Sequence, residues 1–126
     1  MGSLIVTIEE DKESFAPGEP IRGTVRWEGF SKPGEVEIIL TYRTEGSGVQ
    51  DVDEIDSVVL PSSATSGSNS FSFRLPEGPY SFNGEYISLI WSIDALFETD
   101  DLAESAEFVL SPTGAVINLY ESHQDS

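Results

Sequence analysis

His123 is the single histidine of this 126-residue chain, and there is no cysteine. It stands three residues from the C-terminal end, in the polar run ESHQDS. A general base has to be held within hydrogen-bond reach of its target, which a terminal polar tail does not do. Ser–His and Cys–His pairings have only this residue to draw on, so no catalytic residue is assigned. Lack of cysteine also removes disulfides, thiolate zinc sites and iron–sulfur clusters. No Walker or Rossmann glycine motif occurs, and Gly46 and Gly48 in TEGSGVQD read as a hairpin tip.

Carboxylates are the remaining chemical material, with 23 Asp plus Glu against 6 Lys plus Arg. One cluster is Asp51, Asp53, Glu54 and Asp56; a second is Glu98, Asp100, Asp101 and Glu104. A glycosidase needs two carboxylates across a sugar cleft, one with a raised pKa, and nothing in the spacing places two so. Calcium takes six to eight oxygens, but the glycine and distant glutamate of an EF-hand loop do not follow Asp51 and Asp53 in register. No metal and no cofactor is therefore assigned. A solvated acidic strand edge accounts for the first cluster, because charge there blocks edge-to-edge aggregation. An acidic recognition patch of Asp51, Asp53, Glu54, Asp56 and Asp94 is the alternative. Asp94 sits mid-strand on a face with Ser88 and Ser92, where outward exposure is expected.

The net charge of −17 repels polyanions, so nucleic acid and anionic lipid are poor partners and none is expected. It fits solubility by self-repulsion, adaptation to high salt, or a cationic partner. No apolar run approaches the roughly 20 residues that span a bilayer, so no membrane insertion is expected. The chain opens without the basic, apolar and small-residue series of a secretory signal, which makes the cytoplasm the expected compartment.

The elements that must carry these residues are strands. Ile21, Gly23, Val25 and Trp27 alternate with Arg22, Thr24, Arg26 and Glu28, a half-buried strand. Val36, Ile38, Leu40 and Tyr42 do the same, as do Phe71, Phe73 and Leu75. The longest such signal runs from Tyr86 to Phe97, with Ile87, Leu89, Trp91, Ile93, Ala95 and Phe97 on one face. Both tryptophans fall on apolar faces and belong in the core. Weaker strands fit Leu4 to Glu9, Val52 to Leu60, Leu102 to Leu110 and Ala115 to Tyr120. Pro17-Gly18, Ser31 to Gly34, Ser62 to Asn69, Gly78-Pro79 and Ser111 to Gly114 supply turn chemistry between them. About eight strands without a sustained helical period describe an all-β, antiparallel, immunoglobulin-like β-sandwich. One domain over 1–120 is expected, with a polar tail over 121–126.

Two segments together resemble the arrestin-like β-sandwich superfamily. SFAPGEPIRGTVRW (Ser14 to Trp27) has an aromatic, a Pro17-Gly18-Glu19 turn, and Gly23 inside the next strand. FSFRLPEGPYSFNGEYISLIWSIDALFE (Phe71 to Glu98) is similar to the pattern F-x-F-x-L-P … P-x-S-F-x-G-x-Y, with Trp91 where the superfamily often has tyrosine. Each motif residue also has a physical reason. Pro17 presets φ and Gly18 permits a positive one. Gly23 marks a bulge or close backbone approach. Pro76 ends a strand because it cannot donate to the ladder, and Asn83-Gly84 suits a tight turn. Phe71, Phe73, Phe82, Tyr86 and Trp91 supply aromatic area for an inter-sheet core.

The resemblance covers about residues 4–110, room for one sandwich where arrestins have two. It implies a protein-binding adaptor or scaffold without catalysis, in the manner of retromer-adaptor and bacterial sporulation-control members. Visual-type arrestins sense phosphate with basic residues near the first strand. Leu4 to Glu9 has none and leads into Glu10 and Asp11, which argues against that ligand. The expected function is a non-enzymatic interaction module that binds a protein partner, or itself, through a sheet face or an exposed edge strand. The alternatives are a cation- or carbohydrate-binding sandwich, motivated by the acids and aromatics, and lastly a hydrolase using an acidic pair.

Overall fold

Pro20–Glu28 forms a strand that buries Ile21, Gly23, Val25 and Trp27 and exposes Arg22, Arg26 and Glu28, the alternation its sequence requires. The computed structural model describes residues 2–46, 51–62, 65–84, 87–97, 100–115 and 117–118. Ten strands lie among them: β1 (Ser3–Ile8), β2 (Ser14–Phe15), β3 (Pro20–Glu28), β4 (Gly34–Gly46), β5 (Asp51–Ser62), β6 (Gly67–Arg74), β7 (Phe82–Asn83), β8 (Ile87–Phe97), β9 (Leu102–Leu110) and β10 (Ile117–Asn118). The chain is an all-β sandwich. β1, β3 and β6 make a three-stranded antiparallel sheet. The second sheet runs β10-β7-β8-β4-β5, and β9 pairs with β8 and carries β2.

Eight of the ten strands fall on the segments expected as strands. β2 and β7 have two residues each, too short to show a period. Two short parallel pairings, β2 with β9 and β7 with β10, supplement the antiparallel ladders. The first is braced by the Val109 amide donating to the Glu13 carbonyl (2.8 Å) and the Ser111 amide to that of Phe15 (3.0 Å).

Between the sheets, Ile21, Val25, Trp27, Phe71 and Phe73 meet Val36, Ile38, Leu40, Leu89, Trp91, Ile93 and Phe97. The Trp91 indole N–H donates to the Pro79 carbonyl at 2.7 Å, which satisfies the polar atom of a fully buried ring. Phe82 is half-buried against this core, while Tyr86 lies outside the described residues. Ile87 departs from its expected inward face: it is the first residue of β8, at the sheet margin, and 43% exposed. Phe30, a lone aromatic in a loop, joins the core unheralded. Its ring stacks on Phe97 with centroids 3.8 Å apart and on Trp27 at 6.0 Å.

The two motif segments dock on each other. Gly18 has φ +78°, and the Glu19 amide closes the turn onto the Ala16 carbonyl at 3.1 Å. The Glu19 carbonyl accepts the Leu75 amide at 3.0 Å, and the Pro76 carbonyl accepts the Gly18 amide at 3.4 Å. The Glu19 carboxylate accepts the Ala16 amide (2.8 Å) and pairs with Lys12. Lys12 first, and that amide second, hold it below the usual carboxylate range. Asn83, expected in a turn, is a β7 residue, and the Gly84 amide donates to the Ile87 carbonyl at 2.8 Å. Among the described residues no helix is long and apolar enough to cross a membrane.

Candidate interaction edge

β5 is twelve residues long and terminates the second sheet; among the described residues it is paired on one flank, with β4. All four acids of the first cluster lie on it and are exposed. Register sets Asp51 opposite Thr44, Asp53 opposite Tyr42, Glu54 opposite Thr41 and Asp56 opposite Leu40. An irregularity at Leu40/Thr41 leaves Ile55 as the extra residue, a β-bulge. On the C-terminal side of the bulge, Val58 and Leu60 pack against the core. Val52 (59% exposed), Ile55 (42%) and Val59 (50%) remain open to solvent. The edge therefore presents carboxylates, aliphatic side chains and an unpaired strand flank together.

Local bonds fix this edge. Thr41 Oγ1 donates to the Asp53 carbonyl at 2.7 Å, and the Asp51 amide donates to Thr44 Oγ1 at 3.3 Å. The Asp53 carboxylate accepts the Tyr42 hydroxyl, which raises that phenol above its ordinary pKa. Asp56 Oδ1 takes the Ser57 amide at 2.8 Å.

Asp94 stands apart from the other four. It is on β8, with Ile39 of β4 between it and Ser57 of β5. Two strand spacings separate it from the edge, about 10 Å. Its Oδ1 accepts hydroxyls from Ser92 (2.9 Å) and Ser105 (2.7 Å). Solvent exposure is less than expected here: Ser92 is 1% exposed and Asp94 half-buried, because β4 and β9 flank this central strand.

Asp100 of the second cluster accepts both the hydroxyl and the amide of Ser31, the amide at 2.7 Å. It thereby ties the segment before β9 to the loop before β4. The hydroxyl first and the amide second lower its pKa. Asp101 has φ +53° and Glu104 is exposed, while Glu98 and His123 lie outside the described residues.

Positive charge is placed elsewhere, a segregation invisible to one-dimensional charge counting. Among the described residues Arg43 is the only basic group on any strand of the second sheet. It is held by Glu45 (2.7 Å) and by Glu107 on β9 (2.6 Å). Arg22, Arg26 and Arg74 are exposed on the three-stranded sheet. Strand alternation finds each of these arginines, but only the sheet topology separates them from β5.

Other sites offer less. An open cleft of about 350 Å³ lies where β8 changes partner from β7 to β9, lined by Glu13, Ser81, Asn83, Leu89, Glu107 and Phe108. Its Glu107 already holds Arg43, and Ser81 Oγ accepts the Leu110 amide at 3.0 Å. Among the described residues no three of His, Cys, Asp and Glu converge as a metal site would require. Trp27 (4%) and Trp91 (0%) are core residues, as their strand faces indicate, so neither offers a platform for stacking a sugar.

No family model and no curated protein sequence matches this chain. Among solved structures, Spo0M, the sporulation control protein of Bacillus subtilis, superposes with a TM-score of 0.58 at 16% identity. This is a β-sandwich related in fold to Spo0M. The match covers 87% of this chain and 49% of Spo0M, so the chain spans about half that protein's length. A Listeria innocua β-glucosidase overlaps at TM-score 0.49 and 12% identity, over 93% of this chain and 16% of the enzyme. The Pseudomonas fluorescens alkylpurine DNA glycosylase AlkC overlaps at 0.46 and 15%, over 86% of this chain and 30% of its own.

Proposed function

We propose that this chain is a non-enzymatic, arrestin-like protein-interaction module, an adaptor or scaffold domain of the cytoplasm. The observation that carries the reading is the open β5 flank, with Val52, Ile55 and Val59 exposed along it. An extended segment laid there gains main-chain hydrogen bonds for affinity, and its alternate side chains meet those aliphatics for selectivity. The Spo0M likeness and the docking of the Pro17-Gly18-Glu19 turn on Leu75-Pro76 support the arrestin-like assignment. The acids support binding over catalysis: those on β5 share one exposed edge, and Asp94 and Asp100 are each engaged by serine groups.

Replacing Val52, Ile55 and Val59 together by lysine tests this, because all three side chains already face solvent and the fold should persist. Partner capture from native lysate, read by mass spectrometry at low and high salt, should lose the saturable partner with the triple variant. Unchanged capture by a folded triple variant would refute binding at β5.

A further inference from the structure

Resting on that reading, we infer that the segment taken up by β5 is basic, with lysine or arginine alternating with aliphatic residues along an extended strand. Asp51, Asp53, Glu54 and Asp56 fall within six consecutive positions of the edge. Arg43, the nearest base by register (opposite Val52), is committed to Glu45 and Glu107, so it does not neutralise them. Lys12 pairs with Glu19, Lys32 lies in the loop before β4 and acts on Asp100, and Arg22, Arg26 and Arg74 occupy the other sheet. An added strand thus meets uncompensated carboxylates beside exposed Val52, Ile55 and Val59.

Charge also decides which occupants fail. A second copy pairing antiparallel across the 51–56 stretch would set Asp51 opposite Asp56 and Asp53 opposite Glu54, and like charges directly across a ladder are destabilising. An acidic segment meets the same repulsion, plus that of the −17 chain. A basic segment gains a cross-strand ion pair at each lysine and faster encounter at low salt. The bulge at Ile55 twists the ladder locally, so a flexible extended segment fits better than a preformed flat sheet.

The test uses the full chain and three labelled peptides of about nine residues, alternating valine with lysine, serine or glutamate, followed by fluorescence polarisation. The lysine peptide should bind on the order of tenfold or more tightly than the serine peptide, and the glutamate peptide should not bind. Asp51→Asn, Asp53→Asn, Glu54→Gln and Asp56→Asn combined should erase that preference while near-ultraviolet circular dichroism of the buried tryptophans stays unchanged. Equal binding of lysine and serine peptides, abolished by the triple lysine variant, would overturn the basic-partner inference and leave the open-edge reading standing. Lysine-peptide binding undiminished in the neutralised variant would also overturn it, as attraction to net charge at large. No binding by any peptide would overturn it too, leaving the acids as a guard against edge pairing. Loss of native partner capture in the triple lysine variant would then decide the open-edge reading separately.

Discussion

The ring of Phe71 lies across the backbone of Gly23, so that a β-carbon on Gly23 would stand 2.5 Å from Phe71 Cζ. The same carbon would stand 2.5 Å from the Thr7 carbonyl oxygen. Gly23 pairs with Ile8 on one side and Phe71 on the other, so this approach joins all three strands of the smaller sheet. A ring tip can swing aside, but a ladder carbonyl cannot without breaking β1 from β3. Gly23→Ala should therefore cost about 1–3 kcal/mol by overpacking. The urea midpoint should fall with the slope unchanged; an unaltered midpoint would mean that the smaller sheet yields without strain.

Trp91→Phe should destabilise by about 0.5–1.5 kcal/mol, since it removes the 2.7 Å hydrogen bond from the indole N–H to the carbonyl of Pro79, an exposed residue whose oxygen can turn to water instead. Trp91→Ala should cost about 3–5 kcal/mol by adding a cavity at a fully buried site. Denaturant titration orders the two. Equal losses would show that the hydrogen bond, lost in both variants, and not the volume, sets the cost.

Phe30→Ala should approach the same 3–5 kcal/mol range although Phe30 is in no strand. Its ring is 4% exposed and stacked between Trp27 and Phe97. A loss below about 0.5 kcal/mol, the usual size for a surface position, would contradict this placement.

Acid should expose the Glu19 contribution. Its folded pKa lies below the ordinary 4.5, so the stability it adds is fully present above that value and is lost as pH falls through the folded pKa. The melting temperature of the parent chain minus that of Glu19→Gln should be constant near neutrality and shrink below about pH 4.5. The difference is the diagnostic quantity, because protonating the other 22 of the 23 acids relieves repulsion in both proteins alike. A difference flat down to pH 3 would show that Lys12 and the Ala16 amide do not favour the charged form.

Salt should stabilise the fold. Raising it from about 0.1 to about 1 M shortens the Debye length from about 10 to about 3 Å, screening repulsion among the surface carboxylates. Each 1 kcal/mol gained should raise Tm by roughly 3–6 °C at this chain length. A falling Tm would mean that the ion pairs of Arg43 and of Lys12 outweigh the repulsion.

The sequence by itself determined the strands and the turn that joins the motif segments. Alternation of period two is a local consequence of the pleat, so Ile21 to Trp27, Phe71 to Leu75 and Leu89 to Phe97 could be assigned inward before any pairing was known. Gly18 and Gly23 were equally legible, since a positive φ or a missing side chain leaves few substitutes. Tertiary structure alone decided what lies beside what. Phe30 has no periodic neighbours, and its burial follows from the loop crossing onto Phe97. Asp94 looked solvent-facing by parity, yet a central strand is covered from both flanks, which half-buries it and seals Ser92. The four β5 acids are adjacent in sequence. That they form an uncompensated open edge follows only from β5 ending its sheet and from Arg43 being drawn away to Glu107. Pairing order and long-range charge placement have no local signature, because both depend on contacts between residues far apart in the chain.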